Sequence, residues 1–274
     1  MNSIKEKLKV WCPPVIYPFL RMIVEGDNEI RFEGSYPTWQ DANAQCNGYT
    51  SKEILEKILV ATLKVKKGEA VYERDSMIFD QIEYTWPVVS GLMWVAAGNG
   101  GSLKVLDFGG SLGSRYFENL LFLDSLPHIS WNVIEQAKFV EAGQKHFQNK
   151  QLKFFKSIED SLEDNTPNVI LLSSVLQYLP DPGEIIDSLK DINSEVIIID
   201  RTIVNSSNIN RAYIQHVPAS IYKASYPCYS LSEQWLIKKI GNNFEMPIEF
   251  PSIDFPVLHH IDSEFKGYIF KKRF

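Results

Sequence analysis

One short stretch constrains this chain more than any other. Leu103–Leu106 is an apolar run that ends in Asp107; Gly109, Gly110 and Gly113 follow, and a helical pattern runs from Arg115 to Leu123. This reads as strand, tight glycine turn, helix. Glycines at such a turn permit positive φ and let a ligand approach the backbone closely, and the helix behind them presents free N–H groups. The acid two residues before Gly109 narrows the ligand. A phosphate-binding turn has little use for an anion there, whereas a turn that holds a cationic amino-acid group does.

Composition sets the outer bounds. Of 274 residues, 45% are hydrophobic, enough for a sizeable core in one large domain with an extension. The net charge of −6, with no basic block, excludes a nucleic-acid binder that works through a bulk positive surface. Cys12, Cys46 and Cys228 stand far apart with no zinc pattern, which points to plain reduced thiols and no metal. Residues 1–24 carry Lys5, Lys7 and Lys9, then Trp11, Pro13-Pro14, Tyr17 and Phe19. They are read either as an arm packed on the domain or as an interfacial segment making peripheral membrane contact. No cleavable leader is read there, and no run of about 18 apolar residues exists to span a bilayer. The expected location is the cytoplasm, including the inner face of the membrane.

Thr38 with Asp41, and Thr50 with Glu53, form two capping boxes. The second opens a helix in which Ile54, Leu55, Ile58, Leu59 and Thr62 recur and which Lys66-Lys67-Gly68 ends. A further helical region is expected over 74–97, interrupted at Pro87, before the break at Gly98–Gly101. From 103 onward strands (103–108, 130–135, 152–155, 168–173, 195–200) alternate with helices (114–123, 137–147, 157–163, 183–191). Residues 201–229, rich in Tyr, Ser, Asn and Pro, read as irregular; a helix over 232–240 and strands near 244–250 and 265–272 finish the chain. The pattern predicts an α/β fold: a doubly wound, mostly parallel seven-stranded Rossmann-like sheet over 102–274. Residues 1–101 supply an N-terminal arm and helical cap over the cofactor side, with Phe32–Trp39 near the site.

Ligands of open α/β sheets bind beyond the carboxyl ends of the strands. The second strand ends in Glu135-Gln136, and an acid 22 residues past Gly113 can accept hydrogen bonds from ribose hydroxyls. Dinucleotide enzymes share that device, so Glu135 alone does not discriminate. The third strand runs into Phe155-Lys-Ser157-Ile-Glu159, and the fourth into Ser173-Ser174-Val-Leu-Gln177-Tyr178-Leu-Pro180-Asp-Pro182.

Asp107–Gly113 resembles the first motif of the class I S-adenosylmethionine-dependent methyltransferases. The segment Leu176–Asp181 is similar to the leucine, polar, aromatic, leucine, proline, aspartate turn that follows their fourth strand. The resemblance covers residues 103–200, with Ser111 standing where a third closely spaced glycine is usual. It implies S-adenosyl-L-methionine as cofactor, held by Asp107, Gly109, Gly110, Gly113, Glu135, Gln136 and Ser174. Ser157 or Glu159 would meet the adenine.

Over the whole chain, Phe32-Glu-Gly34-Ser-Tyr36-Pro-Thr-Trp39, Gln215-His216-Val-Pro218 and Ile221-Tyr222-Lys-Ala-Ser225-Tyr226-Pro227 resemble a bacterial methyltransferase family encoded near surface-polysaccharide genes. That implies transfer to a small molecule, a sugar or a polysaccharide precursor. In 201–229, read as the substrate loop, His216 is the candidate general base, since an imidazole with an ordinary pKa near ~6.5 can take a hydroxyl proton. Tyr178, Tyr222 and Tyr226 would shape the acceptor pocket. Two other readings stand beside this one: a methyltransferase-like scaffold without catalysis, and an NAD-dependent oxidoreductase. Asp107 and the lack of GxGxxG argue against the oxidoreductase.

Overall fold

The centre of the computed structural model, which describes residues 30–46, 51–218, 224–252 and 261–273, is the strand β4 (Ser102–Phe108) that enters the glycine turn. On one side it pairs in parallel with β5 (His128–Ile134), which pairs with β6 (Leu152–Phe155). On the other side β7 (Val169–Ser173) and then β8 (Val196–Asn205) follow, again parallel. The chain steps outward from β4 one way, then returns and steps out the other way, so the topological switch point falls between β4 and β7. Beyond β8 lies β12 (Glu264–Lys271), antiparallel, and then β11 (Ile248–Pro251). These are the seven expected strands, in a doubly wound, mostly parallel α/β sheet.

Alternation along the strands divides the apolar residues between two cores. Val105, Trp131, Val133, Val169, Leu171 and Ile198 face one side, where α3 (Trp86–Gly98), α4 (Ser114–Leu123) and α5 (Ala137–His146) cover them. Leu106, Ile134, Ile170, Leu172, Ile197 and Ile199 face the other, beneath α7 (Pro182–Lys190) and α8 (Glu233–Ile240). Coverage on both faces is why the run Val196–Ile199 is apolar throughout. The short α6 (Ile158–Asp164) joins β6 to β7, and upstream lie α1 (Trp39–Asn43) and α2 (Ser51–Lys66). Thr38 caps α1 as expected, its hydroxyl accepting from Asp41 N at 3.1 Å and donating to the Asp41 carboxylate at 2.6 Å. Thr50 of the second box, Cys12 and the arm 1–24 lie outside the described residues. No helix among the described residues is long and apolar enough to cross a membrane.

Three expectations are corrected. Residues 31–36, expected within a helical cap, form a strand. The region 74–97 is not one interrupted helix. Its first part is a hairpin, β2 (Tyr72–Arg74) and β3 (Met77–Phe79), turning at Asp75 and Ser76, both at positive φ (51° and 70°). Positive φ at both central residues is the twist-compatible two-residue hairpin turn; Asp-Ser in place of Asn-Gly hides it. Pro87 does not interrupt a helix but stands in the first turn of α3, where its missing N–H has no helical partner to lose.

Nor is 201–229 irregular. β8 continues to Asn205, and β9 (Arg211–Val217) and β10 (Ala224–Ser232) form an antiparallel ribbon completed by β1 (Arg31–Tyr36). Leu231 and Ser232 pair with Val204 and Asn205, on the edge of β8 that β7 vacates after Ser173. The ribbon extends the sheet to ten strands and joins the upstream segment 32–36 to the downstream segment 211–217. Pro227 is tolerated because that part of β10 has a ladder partner on β9 only.

Candidate active site

Three loops meet at the carboxyl ends of β4, β5 and β7. The first is the glycine turn. Gly109 and Gly113 hold φ of 75° and 87°, and Ser111 holds 55°. Ser111 therefore adopts the left-handed conformation that a glycine would hold without strain, at a cost of about 1–2 kcal/mol. Its buried hydroxyl finds no partner among the described residues.

Asp107 is 1% exposed. Its carboxylate accepts the indole N–H of Trp131 at 2.9 Å and is overlain by Gly110, where any Cβ would strike it. Burial pushes its pKa up to about 7, against the opposing pull of the Trp131 bond and Arg115. Enclosure of this kind makes Asp107 the group that shapes the turn from beneath.

Glu135, at the end of β5, faces the same turn. Its carboxylate accepts the N–H of Gln136 at 2.8 Å and the backbone N–H of Ser111. Burial raises its pKa against both bonds. Gln136 itself is exposed and precedes α5. Ser157 caps α6, its hydroxyl accepting from Asp160 N at 3.1 Å.

The third loop follows β7. Ser174 sits at φ 54° and accepts from Gln177 Nε2 at 3.3 Å; the same amide nitrogen donates to the Arg201 carbonyl at 3.0 Å. A single 3-10 turn, Leu176–Tyr178, then brings Tyr178 against the ribbon. Tyr178 donates to Gln215 Oε1 at 3.1 Å, Gln215 Nε2 donates to the Tyr226 hydroxyl at 3.2 Å, and the two tyrosine rings meet edge to face with centroids 5.4 Å apart.

The structure thus brings Tyr178 and Tyr226 together but separates His216 from them. Gln215 pairs directly with Tyr226 across the ribbon, so those side chains share a face; His216, one residue on, takes the opposite face. There its Nε2 lies 2.8 Å from Glu33 Oε2 on β1. The expected pocket holding His216 and Tyr226 side by side is therefore corrected by strand register. Tyr222 lies outside the described residues.

A buried polar network behind these loops was not read from the sequence. Arg115, in the first turn of α4, donates to Glu118 at 2.7 Å, to Ser173 at 2.9 Å and to Asp200 at the end of the apolar part of β8. Those carboxylates hold its guanidinium firmly charged despite burial, which alone would lower its pKa. Arg201, at φ 53°, pairs with Asp75 of the β2–β3 hairpin at 2.5 Å. Glu73, on the same hairpin and 2% exposed, accepts from the Ser114 hydroxyl beside the glycine turn. Burial pushes its pKa up to about 7. The charged pair Asp200-Arg201 directly after three isoleucines was the available signal. Among the described residues, no group of three or more His, Cys, Asp or Glu side chains could hold a metal.

No family model matches the chain, and no curated protein matches it in sequence. Solved structures resemble it in outline. One is the 1,6-didemethyltoxoflavin-N1-methyltransferase of Burkholderia thailandensis, bound to 1,6-didemethyltoxoflavin and S-adenosylhomocysteine, at 12% identity and TM-score 0.43, covering 89% of this chain and all (100%) of that one. The magnesium protoporphyrin IX methyltransferase of Synechocystis PCC 6803, with S-adenosylmethionine bound, gives 13% and 0.45 over 80% and 97%. The N-terminal domain of EvdMO1, in the presence of S-adenosylhomocysteine and D-fucose, gives 14% and 0.45 over 82% and 98%. The fold assignment stands on strand order and not on these likenesses.

Proposed function

We propose that this chain is an S-adenosylmethionine-dependent methyltransferase that methylates a hydroxyl of a small molecule or sugar, surface-polysaccharide precursors included, in the cytoplasm. The observation that carries the reading is the pairing of the Asp107–Gly113 turn with Glu135 across the ends of adjacent parallel strands. The donor set fits the cofactor. Positive φ at Gly109 and Gly113 folds the turn tightly at the strand ends, with Val175 and Leu152 packed where their side chains would stand. Glu135 would receive ribose hydroxyls, Gln136 and Ser157 would border the adenine, and Ser174 would border the methionyl end. Asp107 would act through the turn it shapes.

When bound, the cofactor supplies a methyl group already activated on a sulfonium. The chain is left with the tasks of aligning the acceptor and excluding water. Tyr178 and Tyr226 supply apolar walls with hydroxyl tips, a combination suited to a sugar ring. His216 is not included, because its side chain faces away from that pair.

Isothermal calorimetry tests the reading. S-adenosylhomocysteine should bind the full chain, NAD should not, and Glu135→Ala should weaken the former. Binding of NAD in its place, or equal binding by Glu135→Ala, would overturn it.

A further inference from the structure

We propose that the tip of the β2–β3 hairpin is a strap across the cofactor crevice, latched by Asp75 and Arg201, and that its release gates entry and exit of the cofactor. The proposal rests on the methyl-transfer reading and adds a control on ligand exchange. The hairpin is tied on both sides of the switch point. At its base Glu73 accepts from the hydroxyl of Ser114, the residue after Gly113. At its tip Asp75 pairs with Arg201 at 2.5 Å, one residue past the register at which Asp200 faces Ser173. Strands β4, β7 and β8 lie side by side in that order, so the line from Ser114 to Arg201 passes over the carboxyl end of β7. Tyr72 lies within electrostatic reach of Glu118, Arg115 and Arg201, along the same path. Ligands of open α/β sheets occupy the crevice beyond these strand ends, so the hairpin stands across the way in.

The two ties differ in kind. Tyr72 and Glu73 are buried between α2 and α4, and Thr62 of α2 also bonds Glu73, so the base is fixed. The tip is a surface element: the Asp75 side chain is 61% exposed, and Met77 and Ile78 beside it are exposed. The hairpin has three residues in each strand and forms a sheet of its own, and so small a ribbon is marginal without ties to its surroundings. Both latch residues hold left-handed backbone, Asp75 at φ 51° and Arg201 at φ 53°. Strain of this kind persists only where the surroundings impose it, and it concentrates in clamps and switch regions. The ion pair supplies that hold at the tip. Because one partner is largely exposed, the pair contributes little and can break and reform at modest cost.

The test is surface plasmon resonance of S-adenosylhomocysteine on the full-length protein, with Asp75→Gly and Asp75→Asn. Both replacements accept positive φ, so the turn is kept while the ion pair is removed or weakened. A latch that closes the crevice alike in the free and the bound protein slows both directions of exchange. In Asp75→Gly the association and dissociation rates should therefore rise together, each about twofold to fivefold, with Kd kept within about twofold. Asp75→Asn should move both rates the same way by a smaller factor. A melting temperature close to wild type shows that each variant folds. A change in one rate alone would make Asp75 a support for the bound ligand and overturns the proposal; unchanged rates overturn it as well. If Asp75→Gly does not fold, Asp75→Asn decides by the same criteria. Failure of wild type to bind S-adenosylhomocysteine would overturn the methyl-transfer reading and the gate with it, whereas binding with unaltered rates in the variants overturns the gate alone.

Discussion

Val175 closes directly on Gly109: a Cβ built there would lie 2.5 Å from Val175 Cγ2. Gly109 also holds φ at 75°, a left-handed conformation that strains any L side chain. Two independent penalties therefore fall on Gly109→Ala. The conformational part is about 1–2 kcal/mol, and the steric part displaces the turn after β7. Gly109→Ala should lower the melting temperature and reduce S-adenosylhomocysteine affinity about tenfold or more, since small displacements at such a turn are costly. Adding Val175→Ala should recover part of the stability, because it relieves the clash and leaves the φ strain. No recovery in calorimetry would mean that the strain alone matters.

Arg115 is the only cation that Asp200 meets among the ion pairs of the described residues, and Asp200 is 0% exposed, with Oδ1 unpartnered. Removing one partner of a buried pair costs about 3–5 kcal/mol, because the other charge stays buried. Arg115→Met should show a loss of that order in urea unfolding, and Arg115→Met with Asp200→Asn should be less damaged than the single variant. Additive losses would show that the two side chains act independently.

Glu73 gives a pH dependence with a definite sign. Burial is the main cause of a pKa near 7 in place of 4.5, opposed by hydrogen bonds from Ser114, Ser76 and Thr62, while Asp75 raises it further. Between those values the folded chain holds a proton that the unfolded chain has released. This stabilisation is complete below the unfolded pKa and is lost as pH rises through about 7. Asp107, raised to about 7 mainly by burial, contributes with the same sign. Glu73→Gln keeps an acceptor for Ser114 and carries no charge. It should match wild type near pH ~5 and exceed it by about 1–3 kcal/mol near pH ~8.5 in calorimetric unfolding. Equal stabilities at the higher pH would show that Glu73 ionises there without cost.

The legible parts of this molecule are those where one element decides its own form. Strand β4, its glycine turn and α4 are all written within Leu103–Leu123, and the apolar runs of β7 and β8 declare strands covered on both faces. The ribbon was illegible because its faces differ by context. Tyr213 packs beside Phe32 and Cys228, while Ala212 and Ile214 pack near Ala42, so neither face shows the polar alternation of a half-exposed strand. The site suffered for the same reason. His216 stood out as a chemical group, but whether a strand residue faces the cleft depends on register, and one step along β9 exchanges it for Gln215. The Arg115 network joins residues 85 positions apart, a distance over which no local pattern speaks.

Substitution of His216 separates the two faces in solution. Its Nε2 lies 2.8 Å from Glu33 Oε2, in a pair whose side chains are 42% and 71% exposed. An exposed pair of this kind contributes less than about 1 kcal/mol. His216→Ala should therefore leave the melting temperature nearly unchanged and keep S-adenosylhomocysteine affinity. Once an acceptor is in hand, turnover should fall by less than about fivefold, against the roughly 10²–10⁴-fold loss expected on removing a general base. A hundredfold loss in His216→Ala with intact cofactor binding would place the base on the Glu33 face, and with it the acceptor, against the register-based assignment.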